Sequence, residues 1–415
     1  MQGGVGDFTH ELGRALVAVG HEVHVITGEL TPASGHRGPA VGTGGQAQTD
    51  WNNPPDWNNP HQPLHGDGEG QDARMVVHRA ITGWRWGCWQ QMMALAQELG
   101  LEVLNVQYQA AAYGMRAAIH FVPRHRQVGA SRPPGCEGQL PIVTTFHDLK
   151  VPYLFPKAGL LRWQAVRMLA RRADGVIVTN QEDYLRLEGQ VSSKRLSLIP
   201  IGSNIPLAPA AGYDRDAERA RWGVGPDDLL LGYFGFLNES KGGEELIQAL
   251  AILVGAGVPA HLLMIGGRVG SSDATNRAYA QRVEALIDEL GLRERVHWTG
   301  YTRPKAVSAG LLAADVCVLP YRDGVSFRRG TLHACLAHGR ALVTTRPAVP
   351  LSEVVDGDNM LLVAPRDPER LAQAVTRLAG DAELRARLAE GAKALAAGFT
   401  WERIARKTAA FFGRL

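Results

Sequence analysis

Between His21 and Ala364 the chain keeps returning to one arrangement: a short run of β-branched or apolar residues, then a stretch with helical periodicity. The runs are HEVHVIT (21–27), LEVLNVQYQ (101–109), PIVTTFH (141–147), GVIVTN (175–180), RLSLIPIG (195–202), LLLGYFGFL (229–237), HLLMIGG (261–267), RVHWTGY (295–301), DVCVLPY (315–321), ALVTT (341–345) and MLLVA (360–364). Strands joined through helices pair in parallel and carry those helices on their faces, so the alternation predicts an α/β protein of doubly wound sheets. A chain of 415 residues exceeds what one core usually serves, which predicts two domains. The segment SNIPLAPAAGYDRDAERA (203–220) is rich in Pro, Ala and charge without a strand period and reads as the linker. Domains over 1–203 and 204–399 follow, with a last helix over 400–415.

Composition narrows the function classes. Hydrophobic residues make up 45% and charged residues 20%, as in ordinary folded proteins. The net charge of +3 gives no field that would make nucleic acid a partner. Basic residues gather locally in LLRWQAVRMLARR (160–172), with Arg162, Arg167, Arg171 and Arg172 among apolar residues. That pattern suits a helix at a peripheral membrane contact and equally a solvated surface helix. Cys88, Cys136, Cys317 and Cys335 show no CxxC spacing, no apolar run reaches a membrane span, and the first residues lack a signal peptide's basic and apolar regions. Together these predict a cytoplasmic location. The stretch from 28 to 74, with the repeat DWNNPPDWNNPH (50–61), is too polar and too rich in Gly and Pro to order itself and reads as a flexible insertion. Trp51 and Trp57 in it could stack on a sugar ring, or be a repeat tolerated on a loop.

Three segments carry candidate chemistry. At the start, Gly3, Gly4 and Gly6 precede an amphipathic helical pattern, and glycines there let backbone N–H groups approach an anion. A doubly wound sheet places such a turn after its first strand, so the expectation is an apolar strand of about five or six residues upstream of Met1. In YFGFLNESKGGEELIQAL (233–250), Lys241 stands just before a helix, where it could meet a diphosphate. In DVCVLPYRDGVSFRRGTLHACLAHGRALVTT (315–345), Ser326, Arg328, Arg329, Gly330 and Thr331 lie in the loop or first turn of the next helix. Two arginines at a helix N-terminus oppose the helix dipole, which suggests an anionic ligand that offsets the cost.

In their order and spacing these segments resemble the group 1, or family 4, glycosyltransferases of the GT-B fold. The likeness runs through GGVGDFTHELGRALVAVGHEV, TTFHDL (144–149), GVIVTN, LIPIGSNIP (198–206), GYFGFLNESKGGEELIQAL, RVHWTGYTRPKAVSAGLLAADVCVLPY, AHGRALVTT and FTWERIA. It implies two Rossmann-like domains facing a cleft, with the last helix crossing back to the N-terminal domain. It also implies a nucleotide-diphosphate sugar as co-substrate, held mainly by the C-terminal domain, and an acceptor on the N-terminal side, whether a glycan, a lipid-linked molecule or a small molecule. Transfer would retain configuration and need neither metal nor organic cofactor, a donor phosphate oxygen helping to deprotonate the acceptor. Residue by residue, Gly3, Gly4 and Gly6 match the glycine turn near the diphosphate. His147 matches the catalytic histidine near the donor sugar, and Lys241 the lysine of the KG motif.

Three positions depart from the family pattern. Phe236 stands where an arginine is usual, and the acidic E-x7-E pair falls on Ser326 and Ala334. Asp323 could replace the first glutamate only with a shift of three residues, and Arg328-Arg329 could supply to the diphosphate the positive charge that Phe236 does not. The missing acidic pair leaves room for a catalytically silent GT-B scaffold that binds a nucleotide sugar. A GT-B nucleotide-sugar epimerase would need acid and base carboxylates around the sugar, of which no convincing set is found. A nicotinamide dehydrogenase would need GxGxxG after a strand, which is absent.

Overall fold

The computed structural model describes residues 4–28, 74–124, 139–149, 159–268 and 274–415. Gly3, Cys136 and residues 29–73, including Trp51 and Trp57, lie outside them.

The N-terminal half runs α1 (Gly4–Ala18), β1 (Val23–Gly28), β2 (Met75–Ile81), α2 (Cys88–Glu98), β3 (Leu104–Tyr108), β4 (Ile142–Phe146), α3 (Gly159–Arg172), β5 (Gly175–Val178), α4 (Gln181–Leu187) and β6 (Leu196–Leu198). β3-β4-β5-β6 form one parallel sheet in that order, and β1 and β2 form a separate parallel pair. β2 was not among the expected strands. On α3, Val166, Leu169 and Ala170 are buried in the N-terminal core and Trp163 packs against it, so a membrane reading of 160–172 has to rest on its arginines.

The C-terminal half runs α5 (Arg215–Ala220), β7 (Leu229–Phe234), α6 (Gly243–Gly255), β8 (Ala260–Ile265), α7 (Ala274–Glu289), β9 (Val296–Gly300), α8 (Pro304–Ala313), β10 (Val316–Leu319), α9 (Gly330–Ala337), β11 (Ala341–Thr345), β12 (Leu361–Val363), α10 (Pro368–Gly380), α11 (Ala382–Ala396) and α12 (Trp401–Phe412). Its six parallel strands stand in the order β12-β11-β10-β7-β8-β9. β8 and β10 are buried along their whole length, as continuous apolar runs in a sheet covered on both faces should be. The expected linker contains α5, capped by Asp214. Arg219 of that helix is 2% exposed and bonds to Asp315 (2.8 Å) and to the carbonyls of Gly225 and Asp228.

α12, capped by Thr400, crosses back as expected. Its Ile404, Ala405 and Phe411 share one apolar cluster with Phe8 and Leu12 of α1, Val143 of β4 and Ile177 of β5. Gly175 makes room for it: a β-carbon there would lie 2.7 Å from Cε1 of Phe411. These two sheets, each with its own core, make the α/β architecture of two Rossmann-like halves.

Candidate active site at the switch point of the C-terminal sheet

β7 is flanked by β8 on one side and β10 on the other, so the chain reverses its direction of progress across the sheet between β7 and β10. The loops leaving the carboxyl ends of two such strands diverge and open a crevice, where ligands of α/β sheets bind. Here those loops are 235–242 and 320–329. The first is shaped by Gly235 (φ +122°) and Gly242 (φ +70°), both in the left-handed region that favours glycine. A β-carbon on Gly235 would meet Lys241 Nζ and Thr331 Cγ2, each at 2.8 Å, so a bare backbone there lets the lysine and the first turn of α9 converge.

Lys241 therefore stands beside Gly235 and Thr331. Burial, and then the neighbouring Arg329, lower its pKa to about 7. The Arg329 guanidinium lies 4.9 Å above the Tyr321 ring, donates to Asp323 (2.6 Å) and reaches Ser240 Oγ (3.3 Å). Its Nε is buried with no hydrogen-bond partner among the described residues. Thr331 shares a 2.7 Å hydrogen bond with the Tyr321 hydroxyl, and Gly330 opens α9 with free space where a side chain would stand. Ser326 turns into its own loop, where its carbonyl accepts from Arg329 N and its hydroxyl from Arg328 N at 3.5 Å.

Arg328 is differently engaged. It donates to Asp323 (2.5 Å) and, across to the other half, to Glu182 (2.9 Å) in the first turn of α4. That contact brings the carboxyl-end loops of the two sheets together. α4 follows β5, whose neighbour β4 runs into His147. Thr179 Oγ1 donates to the carbonyls of Phe146 and His147 (3.4 Å each), and Asp183 accepts from the backbone N–H of Leu149. Burial raises the Asp183 carboxyl to about 6.

The His147 imidazole bonds through Nε2 to Gln107 Oε1 (2.9 Å), and its ring stands edge-on to Phe8 of α1 at 4.6 Å. Burial pushes its pKa down to about 4, so it is neutral at neutral pH. Gly4 and Gly6 lie within the first turn of α1 rather than in a turn before it, just ahead of Phe8, which meets His147.

Phe236 keeps 40% of its surface exposed just past β7. Neither Ser326 nor the buried Ala334 brings a carboxylate. The carboxylate of this loop is Asp323, and it is engaged by both arginines. Two site residues went unread in the sequence. Glu182 pairs with Arg328 only across the fold, and Arg322 binds Glu239 (3.1 Å), Glu244 (2.5 Å) and Glu245 (2.7 Å). The signal for Arg322 was ESKGGEE (239–245), a dense acidic set that requires a cation from elsewhere.

Comparison with known proteins agrees with this fold. The model of Glycosyltransferase Family 4 matches residues 2–205, and that of the group 1 glycosyl transferases matches residues 228–381. A D-inositol 3-phosphate glycosyltransferase of Corynebacterium urealyticum is 30% identical over 247 residues, 58% of this chain and 57% of that protein. An alpha-D-kanosaminyltransferase of Streptomyces kanamyceticus is 28% identical over 57% of this chain and 59% of its own length. The chain thus spans a little over half the length of these curated relatives. Among solved structures, a sucrose-phosphate synthase from Thermosynechococcus elongatus shares the fold with a TM-score of 0.68 at 22% identity, covering 99% of this chain and 93% of that one. The Anabaena protein HepE, crystallised with UDP, gives a TM-score of 0.63 at 20% identity over 82% and 86%. With its two halves matched in turn by the two models, and the GT-B architecture in place around a cationic crevice, the chain belongs to the group 1, family 4 glycosyltransferases.

Proposed function

We propose that the chain transfers a glycosyl group from a nucleoside-diphosphate sugar to an acceptor bound on its N-terminal side, with retention and without a metal. The observation that carries this reading is the convergence of Lys241 and the first turn of α9 on the bare backbone of Gly235, with Arg329 beside the lysine. Positive side chains and helix N–H groups at one point suit a leaving diphosphate, on which charge develops during transfer. His147, neutral and fixed by Gln107, serves on the acceptor side near the donor sugar. Relatives named for inositol phosphate make that molecule the first acceptor to try.

The test is a thermal-shift screen of nucleoside-diphosphate sugars, UDP-sugars first, followed by turnover with and without EDTA. Binding and EDTA-resistant turnover are expected. Stabilisation by none of the donors would sink the donor reading, and activity lost in EDTA but restored by Mg²⁺ or Mn²⁺ would sink the metal-free part. Binding without turnover would favour the silent scaffold, which the missing carboxylates at 326 and 334 already recommend as the second reading.

A further inference from the structure

Lys241 sits in a strongly acidic stretch. Glu244 and Glu245 lie three and four residues on, spacings at which a lysine on a helix finds a carboxylate partner, and Glu239 lies two residues before it. Yet Lys241 makes no ion pair among the described residues. All three carboxylates turn to Arg322, which is 11% exposed and meets each with a different nitrogen: Nε to Glu245, Nη2 to Glu244 and Nη1 to Glu239. Arg282 takes a further share of Glu244 at 3.2 Å. The backbone adds to the grip, since the Arg322 N–H donates to the Ser240 carbonyl (2.9 Å), one residue before Lys241. Arg322 lies on the β10 loop and the glutamates on the β7 loop and the start of α6, so this fork also ties the two walls of the crevice together.

We propose that Arg322 is a positioning residue for donor binding: by drawing Glu239, Glu244 and Glu245 to itself it keeps the Lys241 ammonium available to the diphosphate. The proposal rests on the reading of Lys241 as a diphosphate ligand. A planar guanidinium with five donors in a fixed fork can hold three carboxylates at once, which a lysine ammonium could not do in the same geometry. The charged neighbour that lowers the lysine's pKa is Arg329, which itself donates to Asp323. Freed of Arg322, Glu245 and Glu239 would compete with a phosphate for Lys241 and repel it.

Two readouts test this on the full chain. One needs no ligand: the pH midpoint of Lys241 reductive methylation, followed by mass spectrometry. The other is affinity for inorganic pyrophosphate, a probe independent of the nucleoside. Lys241→Ala and Arg322→Ala should each weaken pyrophosphate binding by roughly tenfold, the effect of removing one charge-assisted hydrogen bond, and Arg322→Ala should move the methylation midpoint upward. Adding Glu239→Gln, Glu244→Gln and Glu245→Gln to Arg322→Ala should restore both readouts to near the parent, and it removes the uncompensated charges that could unfold the single variant. Arg322→Lys should fall between.

An Arg322→Ala protein with the parent's midpoint and affinity, or one that the glutamine changes do not rescue, overturns the proposal and leaves Arg322 as a structural tie. Pyrophosphate binding unaffected by Lys241→Ala overturns the reading of Lys241 itself, and the proposal with it. Weakening by Lys241→Ala alone removes only the role of Arg322.

Discussion

At Gly242 a β-carbon would stand 1.9 Å from the Pro320 carbonyl oxygen, and φ is +70°. Any side chain there pushes the two crevice loops apart in addition to the left-handed strain. Gly242→Ala should therefore cost about 2 kcal/mol or more of stability and weaken nucleoside-diphosphate binding, both read from melting curves with and without UDP. At the preceding residue the prediction concerns pH. Lys241, with its pKa lowered to about 7, loses its charge as pH rises through that value, so diphosphate affinity should fall between about pH 6 and pH 8. Lys241→Arg keeps its charge throughout, so its titration by calorimetry should be flat over that range. A parent profile as flat as the variant's would remove Lys241 from the site.

The elements show how far the sequence could be read. Every strand expected between His21 and Ala364 formed, because buried parallel strands are continuous apolar runs that a local window detects, as in LLLGYF and VCVL. β2 escaped because its apolar run, Met75 to Val77, is short, meets His78 and Arg79 at once and follows a Gly- and Pro-rich stretch. α5 escaped because its six residues, mostly polar, are anchored by Asp315, ninety-six positions from Arg219, a partner no window contains. In the site the same division holds: Lys241, Asp323 and the arginines could be picked out within local segments, whereas the Arg328–Glu182 pair and the Arg322 fork exist only once the loops meet. α12 belongs to the legible part, its cap and apolar stripe being local. Phe411→Ala should cost about 3–5 kcal/mol in urea unfolding, since the 1%-exposed ring fills the space over Gly175. A change under about 1 kcal/mol would mean that α12 is not part of the N-terminal core.

For the molecule as a whole, the Arg328–Glu182 pair means that one cation of the candidate donor site is shared with the opposite half. A diphosphate that recruits Arg328 must compete with Glu182 for it. Glu182→Gln should then tighten nucleoside-diphosphate binding by roughly threefold, a fraction of a partly exposed ion pair, while Arg328→Ala weakens it. If Glu182→Gln instead weakens binding, the pair holds the halves in the competent arrangement and does not compete with the ligand.

The path of the last helix has a consequence for the order in which the molecule can be made. A ribosome delivers α1, β4 and β5 long before α12, yet Phe8, Leu12, Val143 and Ile177 find part of their cover only in Ile404 and Phe411. The half that is synthesised first is therefore finished last. Until residue 411 has left the exit tunnel, the nascent N-terminal half presents an apolar patch with nothing to close it, the kind of surface that binds chaperones or sticks to other chains. The C-terminal core is drawn from residue 205 to residue 392, includes no residue of the first half among the described residues, and can close on its own schedule.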